Sequence, residues 1–309
     1  MRTRAMVMPA GAVLLCACAS GGSPGTEAAP AALVPAEPTA GHTLTYDVPS
    51  PPTATYAISD TTVTVMNATG SDMDMTMGSA ATLELTFEHD ADGLLISGSL
   101  LEFGSSMSGG IMPTVTSGLD DLEGDFEILL GPRGRVQIRS LPRSSDAATG
   151  ATLMTAVAPL TFLAFATSVF PRFPDGPVAF GDSWADTADV SNDQADLAGA
   201  DDVAGVAVTE SSGTTITTYT LVGDTVVAGR RLLHISLKVD GTMASAGEAQ
   251  GMETTVDMTN VADGSFLWDP ERRLLTAVEL RRTTDTTTMM QDMAMTMTAV
   301  ATLTLRLVN

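Results

Sequence analysis

The chain has 309 residues, 44% of them hydrophobic and only 5% aromatic, so a sizeable core must be built from aliphatic and methionine side chains. A net charge of −22 repels nucleic-acid phosphates, which excludes DNA and RNA as expected partners. The acidic balance reads as a solubility device, and Lys238 is the only lysine. There is no HExxH, no CxxC and no phosphate loop, Gly181-Asp182-Ser183 is not a nucleophile elbow, and His42, His89 and His234 lie near no nucleophile motif. An enzyme is not expected, nor is a cofactor.

Residues 1–18 read MRTRAMVMPAGAVLLCAC. Arg2 and Arg4 make a short positive start, and Ala5 to Leu15 make an apolar run too short to span a bilayer. The end of that run, Leu15-Cys16-Ala17-Cys18, resembles the lipobox of bacterial lipoproteins, with Cys16 in the middle slot as its one departure. The resemblance implies a signal peptide over 1–17, cleavage before Cys18, and acylation of its sulfur and new amino group. The other reading is an ordinary signal peptide with Cys18 as a spare thiol. An acylated Cys18 holds the protein to a membrane, which is its expected partner. Ala19, where an aspartate would imply retention at the inner membrane, implies the outer membrane, facing the periplasm or the cell surface. With Cys18 as the sole remaining cysteine, no internal disulfide can form. Residues 18–41 are Gly, Ser, Ala and Pro without period, a flexible tether.

Residues 42–309 are expected to form one all-β domain, in two β halves (42–146 and 178–309) around a helix at 147–169. In the first half, Leu44, Tyr46 and Val48 alternate as a short strand, Tyr56 and Ile58 mark a second, and Val63 with Val65 a third. A long strand follows from Asp72 to Phe87. Its one parity is Met73, Met75, Met77, Ser79, Ala81, Leu83, Leu85 and Phe87, and the other is mostly polar. Asp92-Gly93 predicts a hairpin, Leu94 to Leu101 the return, and 104–118 a Gly/Ser-rich loop. Phe126 to Leu130 and Val136 with Ile138 flank a turn at 132–134.

The middle stretch places Leu153, Val157, Leu160, Leu163 and Ala164 at helical spacing, apolar nearly all round. It reads either as a lid over an apolar cavity or as a helix packed on the sheet. Phe170 to Pro177 is a proline-rich loop. Gly181-Asp182-Ser183-Trp184 after it resembles a feature of uncharacterised all-β lipoproteins, a resemblance that carries no activity. Trp184 reads as a core anchor or a ligand-stacking ring. The acidic run from Asp186 to Asp202 lacks the spacing of a calcium loop.

The second half alternates through Ile216–Val222, 231–239, Met252–Met258 and 274–280, with turns expected at 228–229, 240–241, 263–264 and 269–270. The final strand, Asp292 to Leu307, repeats the Asp72 to Phe87 string at nine of sixteen positions. Its apolar parity opens with Met293, Met295 and Met297. The two strings read as an old duplication or as two strands meeting to close a sheet, with a bulge expected at Gly78.

The expected fold is mainly β: an antiparallel, strongly curved sheet or incomplete barrel with one central helical segment. That shape is similar to the envelope lipid-carrier lipoproteins of the LolA, LolB and LppX type, which implies a membrane-anchored, non-enzymatic lipoprotein binding an apolar small molecule or lipid. The rival readings are a structural or partner-binding surface domain with a filled core, a methionine-type Cu(I) binder, and an outer-membrane barrel, which wants more aromatics. Met73, Met75, Met77, Met293, Met295, Met297 and Trp184 are the candidate lining of an apolar cavity. Thioethers suit that role because an unbranched, polarisable side chain fills irregular apolar space. No metal ligand set is assigned.

Overall fold

The computed structural model describes residues 41–68, 71–110, 112–144, 162, 168–190, 206–249, 252–290 and 293–308. All lie in the compact unit Ala40–Asn309. Residues 1–17, expected to be a signal peptide, and nearly all of 18–41, expected to be a tether, therefore fall outside the described residues. So does almost the whole of the stretch expected to be helical. Of that stretch, Phe162 and Ser168 are described and are helical, and the one helical element with described bounds is a 3-10 turn at Leu119–Asp121.

Fourteen strands follow in chain order: β1 (Thr53–Ala68), β2 (Ser71–Asp90), β3 (Gly93–Gly109), β4 (Met112–Gly118), β5 (Leu122–Glu123), β6 (Phe126–Leu130), β7 (Val136–Ser140), β8 (Arg143–Ser144), β9 (Ser183–Val190), β10 (Val206–Val227), β11 (Arg230–Ala249), β12 (Met252–Asp269), β13 (Leu274–Met290) and β14 (Met293–Leu307). Twelve build one antiparallel sheet, in the order β7-β6-β3-β2-β1-β14-β13-β12-β11-β10-β9, with β4 on β3. β5 and β8 pair separately. The first and last long strands meet at the centre of the sheet, where β1 pairs with β14 from Tyr56↔Leu307 to Ala68↔Met295.

Several expected breaks are not breaks. Tyr56, Ile58, Val63 and Val65 belong to one strand, because nothing in Ser59-Asp60-Thr61-Thr62 forces a turn. The 104–118 stretch is the end of β3 and its hairpin with β4. Asp240-Gly241 and Asp263-Gly264 run straight through β11 and β12. At Gly264 a side chain has no room, since a Cβ would lie 2.3 Å from the Glu279 carbonyl oxygen. The glycine serves close strand contact there, and cross-strand pairing overrides its turn preference. Leu44 to Val48 is an extended strap outside the sheet; its neighbour His42 bridges to Val178. Turns do form at 91–92 and at 228–229, where Ala228 and Gly229 take φ of 51° and 79° in a two-residue hairpin loop.

The sheet is open and its curvature is modest, against the expected strong curvature or near-barrel. Curvature comes from bulges, and the long registers carry few. One sits between Thr82 and Leu83 of β2, while Gly78 stays in regular pairing with Thr61 and Ser106. Edge strands β7 and β9 do not pair. The proline loop bridges them instead: the Phe173 amide donates to the Arg133 carbonyl (2.9 Å), and Trp184 Nε1 donates to the Arg172 carbonyl (2.6 Å).

The core sits at one end of the sheet, the near end, marked by the turns at 91–92, 131–135, 228–229 and 270–273. Leu83, Leu85, Ile96, Ile128, Leu221, Ile235, Phe266 and Val278 line the core face there, all fully buried. The strap and the proline loop close it. Tyr46 stacks on Phe173 with centroids 4.5 Å apart, and Trp268 meets both rings edge-on. The Tyr46 hydroxyl donates to the Pro171 carbonyl and that of Tyr56 to the Leu275 carbonyl. Burial pushes both phenols above their ordinary range. A void of only about 20 Å³ remains among these side chains.

A methionine face on the far half of the sheet

Directly paired residues of neighbouring strands share a face, so the registers can be read as rows across the sheet. On the core face each strand changes composition along its length. β2 passes from Leu85 and Leu83 through Ala81 and Ser79 to Met77, Met75 and Met73. β14 passes from Leu305 and Leu303 through Ala301 and Ala299 to Met297, Met295 and Met293. β11 and β12 add Met243, and Met258 with Met252; β13 ends in Met290, β1 carries Met66 and β3 carries Met107. Among methionines with described side chains, only Met289 lies on the other face. One row is nearly all methionine: Met73, Met66, Met297, Thr286, Met258, Met243.

The two sequence repeats do not face each other. β1 lies between β2 and β14, and the repeats run in the same direction with a stagger of four residues, since Met73 and Met297 flank Met66. Burial falls toward the far end: Met107 is buried, Met75, Met77, Met295 and Met297 are half-buried, and Met73 and Met293 are 41% and 53% exposed. The methionines thus line an open face of the sheet.

Trp184 is elsewhere. β9 pairs with the middle of β10, from Gly213 to Thr220, which sets Trp184 against Tyr219, stacked at 5.6 Å, at the sheet edge. With Arg133, Arg135, Arg172, Phe173 and Asp186 it lines a cleft of about 810 Å³ beside the proline loop. Its neighbours are charged, and Arg172 lies 3.6 Å from Asp186. A shallower groove of about 470 Å³ crosses the opposite face of the sheet over Ala57, Ser59, Ala80 and Gly104, walled by Glu102 and Arg306.

At the lower border of the methionine face the core face becomes polar. Asp60 continues the parity of Tyr56 and Ile58, and Arg282 continues that of Val278 and Leu280. They lie two strands apart, on either side of β14, through the pairs Asp60↔Leu303 and Arg282↔Ala301. Burial raises the Asp60 carboxyl above its ordinary range, opposed by Arg282, and burial also lowers Arg282. An Arg282 guanidinium nitrogen donates to Ser168 Oγ at 3.1 Å. Phe162, from the same stretch, packs on Phe103 with centroids 5.8 Å apart. Ser105 Oγ and Asn260 Oδ1 are buried on this face and find no hydrogen-bond partner among the described residues.

Met66, Asp60 and Arg282 escaped the sequence reading. Their signal was parity: each continues the core-facing set of a strand that was read as ending too early. The chain matches no protein-family model and no curated protein, so the functional reading stands on this geometry and on the N-terminal sequence.

Proposed function

We propose that this is a membrane-anchored, non-enzymatic envelope lipoprotein, held by a lipidated Cys18, whose methionine face receives an apolar ligand such as a lipid. The observation that carries the reading is the segregation of methionine: it crowds the half-exposed far half of one sheet face and is missing from the fully buried near-end residues named above. Plain core packing gives no reason for that division, because Leu and Phe already fill the near half. Flexible, polarisable thioethers on an accessible face suit a chain that varies in shape. The ligand lies against an open face in this reading, and no enclosed cavity is required.

The filled near-end core also suits a structural or partner-binding domain, and that is the second reading. Cu(I) binding is less favoured. Met73 and Met297 are two strand spacings apart, about 10 Å, so the row Met73, Met66, Met297 is a line and not a preformed triangle of sulfurs.

Native mass spectrometry of the protein with residues 1–39 replaced by a cleavable, non-lipoprotein secretion signal, purified without detergent from the periplasm, tests the ligand. Co-purified lipid masses are expected, and a bare protein mass favours the filled-core domain. Metabolic labelling with an alkynyl fatty acid tests the anchor: the label enters the wild type and is lost in Cys18→Ser.

A further inference from the structure

The lower border of the methionine face carries charge as well as polarity. We propose that the ligand is an amphiphile with an anionic head group, a carboxylate or a phosphate ester, whose charge lies at Arg282 and whose chain runs over the methionine rows. The inference rests on the apolar-ligand reading above and names the chemistry of its polar end.

Arg282 is the one cation that the described strands of the large sheet set on the core face above the near-end turns. In a chain of net charge −22 it is the local complement for an anion. A guanidinium has five N–H donors, and the one hydrogen bond of Arg282 among the described residues is to Ser168. Among the described residues no ion pair within contact distance includes it. Asp60 faces it from across β14, where burial raises that carboxyl and the Arg282 charge opposes the rise.

Asn260 stands diagonally from Arg282, on the next strand and one row toward the methionines, as the pairs Arg282↔Ala262 and Thr284↔Asn260 show. Its buried amide oxygen, unpartnered among the described residues, is an acceptor, so it takes a hydroxyl of a head group and not the anionic oxygens, which go to Arg282. The surrounding floor is small, with Ala262, Ala299 and Ala301, so a head group has space between the longer side chains. From the row of Ala301 to that of Met293 is eight residues along β14, about 26 Å at roughly 3.3 Å per residue. That exceeds the roughly 15 Å of hydrocarbon in one leaflet, so an acyl chain fits the face at full length.

Isothermal titration of the protein lacking residues 1–39 with oleate, oleyl alcohol and lysophosphatidate, each below its micelle concentration, tests this. At least one anion is expected to bind roughly tenfold tighter than the alcohol of equal chain length. Tighter oleate points to a free fatty acid as source, and tighter lysophosphatidate to a phospholipid. Arg282→Gln is expected to bring the anions down to the alcohol's affinity without changing the alcohol, and Arg282→Lys to keep the preference. Equal binding of anion and alcohol by the wild type overturns the head-group assignment and leaves the apolar face standing. No binding of any of the three overturns both. The wild-type comparison decides even if Arg282→Gln does not fold.

Discussion

The near and far halves of the core face belong to the same strands, yet they differ in composition and packing. In the near half Leu85, Phe266 and Trp268 interlock with a strap and a loop, and almost no free volume is left. In the far half the same strands carry thioethers, threonine and small residues, at partial exposure. Branched and aromatic side chains specify one packing, whereas unbranched thioethers accept many.

The contrast is sharpest under truncation. Trp268→Ala should lower the unfolding free energy by about 3–5 kcal/mol in a urea titration, because a fully buried indole at the centre of an aromatic cluster leaves a cavity. Tyr56→Phe should cost about 1–1.5 kcal/mol, through the lost bond to the Leu275 carbonyl. That variant also tests a pH dependence. Burial raises the phenols of Tyr46, Tyr56 and Tyr219 above the ordinary value near 10. Their contribution is therefore whole below about pH 10 and is lost as pH rises beyond it, where the unfolded chain ionises first. Unfolding experiments above pH 10 should show stability falling, with a shallower fall in Tyr56→Phe.

Met297→Ala, by contrast, should cost under about 1 kcal/mol, because its half-exposed side chain gives up little buried area. A loss as large as that of Trp268→Ala would erase the distinction between the halves. The smallest effect is expected from oxidation. Brief peroxide treatment followed by peptide mapping should find sulfoxide at Met293 and Met73 before Met107, with little change in the unfolding midpoint.

How much of this was legible follows from what alternation can report. The Asp72 to Phe87 parity is the parity seen in β2, and the Asp292 to Leu307 parity that of β14, because a half-buried strand repeats every two residues. Strand length was not legible. Asp240-Gly241 and Asp263-Gly264 carry turn chemistry, yet they sit inside ladders held by neighbours on both sides. Partner choice was not legible either. The two methionine strings look like partners in sequence, but β1 lies between them, and the residue joining their row is Met66, which belongs to no repeat. Trp184 joined the candidate set as an isolated aromatic, and only the short register of β9 shows that it lies with charged groups at the sheet edge. Arg282 was hidden for the opposite reason: an arginine pair after Val278 and Leu280 looks like the end of a strand, and here it is the middle.

Methionine methyl groups give the most direct reading of the central claim. With [13C-methyl]methionine in the protein lacking residues 1–39, oleate should shift the resonances of Met66, Met73 and Met297 together, at a common affinity. Met289, on the opposite face, should stay where it was. Resonances that all remain in place at saturating oleate, or that move only at Met289, would contradict an apolar binding face on the far half of the sheet.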